Sequence, residues 1–138
     1  MIRYRRLSHR EATVVRTGRT WPFDDLWRSD HLRTLVQPRW RPAVDIYETD
    51  TTIEILVELA GVEEDDVEVQ LFDDTVVVAG LRRPPTCQEG AVYHAAGIRQ
   101  GPFQLELLLP APVDSERVEA RYFLGLLSIT LPKRAEVR

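Results

Sequence analysis

Hydrophobic and polar residues alternate with a period of two along most of the chain beyond its first 43 residues. In the stretch TTIEILVEL, apolar side chains occupy every second position from Ile53 to Leu59, and Glu54 and Glu58 lie between them. Such alternation is typical of a strand with one buried face and one solvated face. The pattern therefore predicts β-structure here.

Similar short segments follow at near-regular spacing, separated by turn residues and without helices between them. About eight strands are predicted: Val44–Tyr47, TTIEILVEL, DVEVQLF, TVVVAG, AVYHA, FQLELLLP, VEARYF and LLSITLP. We expect Gly80 to end the TVVVAG strand and Gly125 to form the last turn at positive φ. This arrangement is typical of an all-β, immunoglobulin-like antiparallel β-sandwich.

The last predicted strand is mostly apolar although it lies near the end of the chain. Leu127, Ile129 and Leu131 alternate with Ser128 and Thr130, so one face of the strand is predicted to enter the core. Burying three such side chains contributes about 5–8 kcal/mol. Most of the apolar surface in ARYFLGLLSITLPK is therefore predicted to be structural.

Segment 81–102 interrupts the regular spacing. Prolines and glycines punctuate it, and a long connection of this kind in a compact domain usually has a function. The AVYHA strand lies inside it.

The first 40 residues are predicted to form an arm that is separate from the sandwich. Residues 1–19 have no periodicity and are predicted to be disordered or adaptable, whereas TWPFDDLWRSDHLRTLV predicts a short amphipathic helix capped by Thr20. Two prolines in QPRWRP then predict an extended linker. The predicted organisation is an arm at 1–40, a sandwich at 41–133 and a short tail at 134–138.

Charge is divided unevenly between the arm and the body. The formal net charge is -4, yet residues 1–41 carry +6 and the remainder carries -10. A basic arm could bind nucleic acid, or it could fold onto an acidic body. We favour the second, because the arginines are scattered and accompany no recognition motif.

The sequence composition limits the cellular compartments in which the protein is expected. No run of about 18 apolar residues exists to span a membrane, and no secretory signal is evident. The single cysteine, Cys87, excludes an internal disulfide and is compatible with a reducing compartment. We predict a cytoplasmic protein. An organelle transit peptide is the alternative for the arginine-rich start.

Chemistry for catalysis is missing from the sequence. The three histidines have no metal-ligand spacing, and neither a phosphate-cradling glycine loop nor a nucleophile elbow is present. The acidic pairs Asp65-Asp66 and Asp73-Asp74 are expected in exposed turns, where they aid solubility. We predict no enzyme, no cofactor and no metal.

Four stretches, in order, resemble the α-crystallin domain of bacterial small heat-shock proteins. They are WRPAVDIYETD, VELAGVEEDDVEV, GPFQLELLLP and ARYFLGLLSITLPK, which together extend over residues 40–133. TWPFDDLW is also similar to a stretch common in the arms of that family. The resemblance implies an ATP-independent holdase chaperone that binds partly unfolded proteins and suppresses their aggregation under heat or other stress.

The resemblance also implies a homodimer in which a loop strand joins the edge of the partner's sandwich. Pairing a lone strand with an open edge satisfies unpaired backbone groups on both. The family usually has an acidic residue at the position of Gly97 and an arginine at that of Leu105, so Arg99 is the candidate to replace an ionic contact. The predicted interface comprises Val44, Asp45, Ile46, Tyr47, Ala91, Val92, Tyr93, His94, Ala95 and Arg99.

Two client-binding surfaces are predicted. One is an apolar arm cluster of Trp21, Phe23, Leu26, Trp27 and Leu32. The other is a groove that relatives fill with a tail peptide, formed by Val67, Val69, Leu71, Val118, Ala120 and Tyr122. The tail after Lys133 lacks the Ile-x-Ile/Val motif of many relatives, so dimers or modest oligomers are expected.

Two alternatives stay open. A CS-domain co-chaperone would share the fold but be monomeric, which a native mass measurement would reveal. A nucleic-acid-binding protein acting through the arm would lose affinity steeply with salt.

Overall fold

The computed structural model describes residues 3–6 and 39–135. Their strands are β1 Arg3–Arg6, β2 Val44–Glu48, β3 Thr52–Glu58, β4 Val67–Leu71, β5 Thr75–Arg82, β6 Gly101–Leu108, β7 Glu119–Phe123 and β8 Leu126–Pro132. A short 3-10 turn at Glu64–Asp66 is the one helical element within these ranges. The helix predicted in the arm lies outside the described residues.

The strands form two sheets, ordered β1-β4-β5-β6 and β2-β3-β8-β7. All pairs are antiparallel except β1 with β4, which is parallel. The predicted all-β antiparallel sandwich is confirmed.

The core lies where the alternating pattern predicts it. Ile53, Ile55 and Val57 of β3 have no exposed surface, and neither do Leu127, Ile129 and Leu131 of the neighbouring β8. They pack in one cluster with apolar residues of the opposite sheet. The final strand is therefore held by its own buried face.

Trp40 packs with the sandwich although it precedes β2. Its ring is buried with its centroid 5.3 Å from that of Phe103. Its backbone N–H donates to Pro102 O at 3.2 Å, and its carbonyl accepts from Gln104 N at 3.1 Å. A truncation of the arm that spares the fold must therefore stop before Arg39.

The last hairpin is a two-residue turn, because Phe123 pairs with Leu126 across Leu124 and Gly125. Gly125 has φ 81°, as predicted, and Leu124 also has a positive φ of 54°. Turns with two left-handed residues match the strand twist and favour Asn-Gly. Leucine is therefore held in a conformation that its side chain disfavours.

The prediction that Gly80 ends its strand is wrong, since β5 continues to Arg82. A Cβ at Gly80 would lie 2.2 Å from Asp66 O and 2.5 Å from Phe103 Cζ. This glycine permits close packing within a strand, a role that local sequence cannot distinguish from a stop.

Two further strand predictions are corrected. AVYHA is not a strand in the single chain, because no edge of its own subunit pairs with it. Residues 3–6, predicted to be without regular structure, form β1 because β4 offers an edge for them.

Candidate functional site

The outer edge of β2 is open within the described part of the chain. β2 pairs only with β3, and it forms the end of its sheet. Ile46 and Tyr47 are 40% and 52% exposed. An edge of this kind presents unpaired N–H and C=O groups that can receive another strand.

Loop 83–100, which joins β5 to β6, stands away from the sandwich. Residues 83–99 are all exposed, and Val92, Tyr93 and Ile98 are between 64% and 75% exposed. Large apolar side chains exposed together on one loop mark an interaction surface.

The loop is held by local contacts. Ala91 N donates to Gln88 O at 3.0 Å, and Cys87 Sγ lies 3.1 Å from the Tyr93 hydroxyl. The hydrogen bond with Cys87 raises the pKa of Tyr93 above its ordinary value. These contacts order the loop without attaching Ala91–Ala95 to a sheet.

Both halves of the predicted dimer interface are therefore accessible on one subunit. Val44–Tyr47 lies on the open edge, and Ala91–Ala95 lies on the exposed loop. Arg99 lies at the base of the loop, where its carbonyl accepts a hydrogen bond of 3.0 Å from Arg82 Nη1. Pairing of the loop with another copy stays a prediction.

The residues predicted to form a groove lie on β4, on β7 and immediately before β7. Val67, Val69 and Leu71 are buried in the core, whereas Val118, Ala120 and Tyr122 are half-buried and pack against that core.

The edge of β4 that faces away from β5 is paired with β1. Arg3 lies opposite Glu68, and Arg6 lies opposite Leu71. Glu68, a charged residue of this strand, is also buried. Client binding in the groove stays a prediction, and β1 is the segment that lies along its edge.

Tyr122 attaches β7 to the end of β3. Its hydroxyl donates to Leu59 O at 2.6 Å. Burial raises the pKa of Tyr122 above its ordinary value of about 10. The protonated hydroxyl thus remains a donor across the neutral range.

The tip of the β7–β8 hairpin exposes apolar surface in a stretch whose apolar residues were predicted to be mostly structural. Phe123 is 73% exposed and Leu124 is 84% exposed, and Leu126 is also exposed. The sequence signal for this exposed surface was the apolar residues next to Gly125. Residues at the tip of a two-residue hairpin are exposed because the tip projects beyond both sheets.

Asp66 is not the solvated carboxylate that the sequence suggested. It is buried, and Arg83 donates to both of its carboxylate oxygens, from Nε at 2.8 Å and from Nη2 at 3.1 Å. The hydrogen bond and the charge of Asp66 raise the pKa of Arg83. This bidentate pair joins the turn before β4 to the start of the loop.

Other candidate chemistry is limited in the described segments. No group of three or more histidine, cysteine or acidic residues among them could hold a metal ion. Nor do these residues form a helix long and apolar enough to cross a membrane. The arm cluster of Trp21, Phe23, Leu26, Trp27 and Leu32 lies outside the described residues.

The two sheets form an antiparallel β-sandwich with a long exposed loop between β5 and β6. The sequence model of the Hsp20/alpha crystallin family matches residues 45–138, so this chain belongs to that family. The family consists of small heat-shock chaperones, which are generally not enzymes.

Relatives agree with this assignment. The chain is 38% identical over 93 residues to a probable 15 kDa heat shock protein of Leptospira interrogans, covering 67% of this chain and 70% of the relative. It is 37% identical over 101 residues to spore protein SP21 of Stigmatella aurantiaca, covering 73% of this chain and 60% of that protein.

Solved structures share the fold. A small heat-shock protein from Xylella fastidiosa, described as having a distinct high order structure, superposes with a TM-score of 0.65 at 29% identity, covering 73% of this chain and 93% of the other. Heat shock protein 16.0 from Schizosaccharomyces pombe gives 0.64 at 30% identity, covering 72% and 94%.

Proposed function

We propose that this protein is an ATP-independent holdase chaperone that binds partly unfolded proteins and suppresses their aggregation under heat or other stress. The observation that carries the proposal is exposed apolar surface on a sandwich whose core is already complete. Ile98 on the loop and Phe123 and Leu124 on the hairpin are exposed, and none of the three belongs to the loop segment Ala91–Ala95 proposed below for self-association.

Such surface suits the capture of damaged proteins. Exposed apolar segments of a client bind exposed apolar patches without sequence specificity. Each contact is weak, so several sites on one assembly are needed for useful affinity. The absence of a phosphate-cradling glycine loop from the sequence is consistent with a cycle that does not use ATP.

Self-association would supply those several sites. We propose a homodimer in which Ala91–Ala95 of each subunit adds to the β2 edge of the other. Reciprocal exchange closes a two-fold assembly. It also satisfies the open backbone groups of β2 and covers the exposed side chains of Val92 and Tyr93. Further association into modest oligomers and a cytoplasmic location belong to the same proposal.

Further client contacts are proposed for the arm cluster and for the β4–β7 groove. The arm's aromatic residues can repack around many clients, and they can equally serve assembly. The groove would bind an extended segment, provided that β1 leaves the edge of β4.

The test is an aggregation assay with a heat-labile model client and no nucleotide. We expect the full chain to suppress light scattering, with no change on adding ATP and magnesium. A variant lacking residues 1–38, which keeps Trp40 in the core, should remain a folded dimer and lose suppression. Suppression that requires ATP would contradict the holdase proposal, and full activity of the truncated variant would contradict the role of the arm.

A further inference from the structure

A cavity of about 870 Å³ opens at the base of loop 83–100. It is lined by the segment before β2, by the end of β3 with the turn that follows, and by both ends of the loop. None of the client-binding residues predicted from the sequence lines it. Client binding as predicted therefore does not explain the charged residues that line this cavity.

Arg82 is the most buried charged group in this cavity lining. Its side chain is only 10% exposed, and its guanidinium carbon lies 4.5 Å from the centroid of the Trp40 ring. Nη1 donates to Arg99 O at 3.0 Å, and Nη2 lies 3.7 Å from Glu58 Oε2. Two nitrogens of the guanidinium are thus engaged.

The third nitrogen, Arg82 Nε, is buried without a hydrogen-bond partner among the described residues. A buried donor on a charged group that forms no hydrogen bond is strongly unfavourable, so such donors are normally satisfied. Gln100 Oε1, on the same lining, is also buried and without a partner. Rotation of that amide by half a turn would present a donor instead.

Positive charge exceeds negative charge around the cavity. Among the described residues, four arginines line it, at positions 41, 82, 83 and 99, whereas Glu58 is the one acidic residue. Arg83 is neutralised by Asp66, and Glu58 is shared between Arg82 and the Ala60 N–H. Arg41 and Arg99 form no ion pair within the described part of the chain, and both side chains are exposed.

We propose that this cavity binds a phosphate-bearing anion, held by Arg82 Nε and by the guanidinium groups of Arg41 and Arg99. A phosphate group carries between one and two negative charges near neutral pH, which matches the two unpaired arginines better than a single carboxylate does. The planar guanidinium also matches phosphate oxygens in two-point hydrogen bonds. The cavity has room for an ester group beside the phosphate.

The test measures binding of inorganic phosphate to the full chain. Thermal unfolding is followed in increasing sodium phosphate and, separately, in sodium chloride at matched ionic strength, because arginine clusters also respond to screening. We expect a saturable rise in Tm with phosphate, as for a ligand that binds only the folded state. Titration calorimetry gives the Kd.

Matched variants localise the effect. The double variant Arg41→Gln/Arg99→Gln changes only exposed side chains, so it should fold normally and bind phosphate at least tenfold more weakly. Arg121→Gln removes an exposed arginine on β7, away from the cavity lining, and should bind like the parent chain. Equal stabilisation by chloride, or unchanged affinity in the double variant, would overturn the proposal.

The competing occupant is a carboxylate from a second copy of the chain, bound to Arg82. The parent chain would then show no saturable phosphate binding, which also overturns the proposal. Aggregation suppression is assayed without phosphate, so the outcome for this site and the outcome for the holdase proposal are independent.

Discussion

The two sheets treat their edges differently. At one edge, β1 pairs in parallel with β4, and the residues along that edge are buried or half-buried. At the edge of the other sheet, β2 has no second neighbour among the described strands, and four of its five residues are exposed. The outer side of β4 is covered by another strand of the chain, whereas the outer side of β2 is open among the described strands.

From this difference we expect β2 to be the strand that pairs with a second molecule. An uncovered strand edge favours pairing with a second chain, so proteins usually cover it, shorten it or charge it. Here the open edge occurs together with an exposed loop that carries an unpaired apolar segment of similar length. The covered edge needs its own strand to leave before it can pair with anything else. The two edges should therefore respond differently to mutation.

The largest effect is expected from removing the loop segment. Replacing residues 86–96 with a short Gly-Ser linker should convert the dimer to a monomer, raising the dimer Kd by at least about 100-fold, or roughly 2.7 kcal/mol. Native mass spectrometry over a concentration series measures this. The control Cys87→Ser keeps the loop and should remain dimeric. A dimer of unchanged affinity in the loop variant would show that the open edge is not the interface.

A smaller effect is expected at the covered edge. Deleting residues 1–6 removes β1 and should destabilise the fold by about 2 kcal/mol, since several backbone hydrogen bonds are lost. Hydrogen exchange should quicken in Val67–Leu71 and stay unchanged in Val44–Glu48. A synthetic peptide of residues 1–7 should restore protection of β4. If β4 exchanges equally slowly with and without β1, the two edges are not distinguished in this way.

Tyr122 tests how firmly β7 is attached beside the covered edge. Tyr122→Phe removes the hydrogen bond to Leu59 O and should lower the free energy of unfolding by about 1 kcal/mol. Urea denaturation at pH 8 measures this difference, and Tyr47→Phe at the exposed edge is the matched control. A loss as large in Tyr47→Phe would contradict the attachment.

The same residue predicts a pH dependence. Because its pKa is raised in the folded state, its contribution is fully present below the ordinary pKa of about 10 and is lost as pH rises through the folded value. Parent stability should therefore fall above about pH 10. The decline should be smaller in Tyr122→Phe. Identical pH profiles for the two proteins would contradict this assignment.

The smallest effect is expected at the hairpin tip. Leu124→Asn should stabilise the fold by about 0.5 kcal/mol, because asparagine tolerates the positive φ that leucine resists. Chemical denaturation measures the change, with Leu108→Asn as a control at an exposed strand position of ordinary conformation. A loss of stability in Leu124→Asn would show that its exposed side chain contributes more than its backbone conformation costs.

The sequence predicted the parts of the fold that depend on local pattern. Alternation from Ile53 to Leu59 identified a buried face, and it did the same for Leu127, Ile129 and Leu131. Gly125 was predicted at a turn from the local pattern, although Ala60 also approaches it closely, at 3.0 Å from the position of a Cβ. Periodicity reports which face of a strand is buried, and it does so without reference to the rest of the molecule.

The parts that the sequence missed depend on distant partners. Asp66 is buried because Arg83 lies beside it, and Gly80 is required because Asp66 O and Phe103 approach it. RYRR forms a strand only through the edge of β4, and AVYHA pairs with no edge of its own subunit. The long segment 81–102 was predicted from its prolines and glycines, whereas its pairing with the β2 edge was predicted only through resemblance to a family.

Cross-linking tests the central claim, that the loop of one subunit pairs with the β2 edge of another. Two single-cysteine chains, Tyr47→Cys and Tyr93→Cys, each in a Cys87→Ser background and of distinct mass, are mixed and treated with a short thiol-specific bifunctional reagent. The account predicts a covalent product containing one chain of each kind, and none when Asp73→Cys in the β4–β5 turn replaces Tyr47→Cys. Absence of the mixed product, or equal yield with the Asp73→Cys chain, would contradict it.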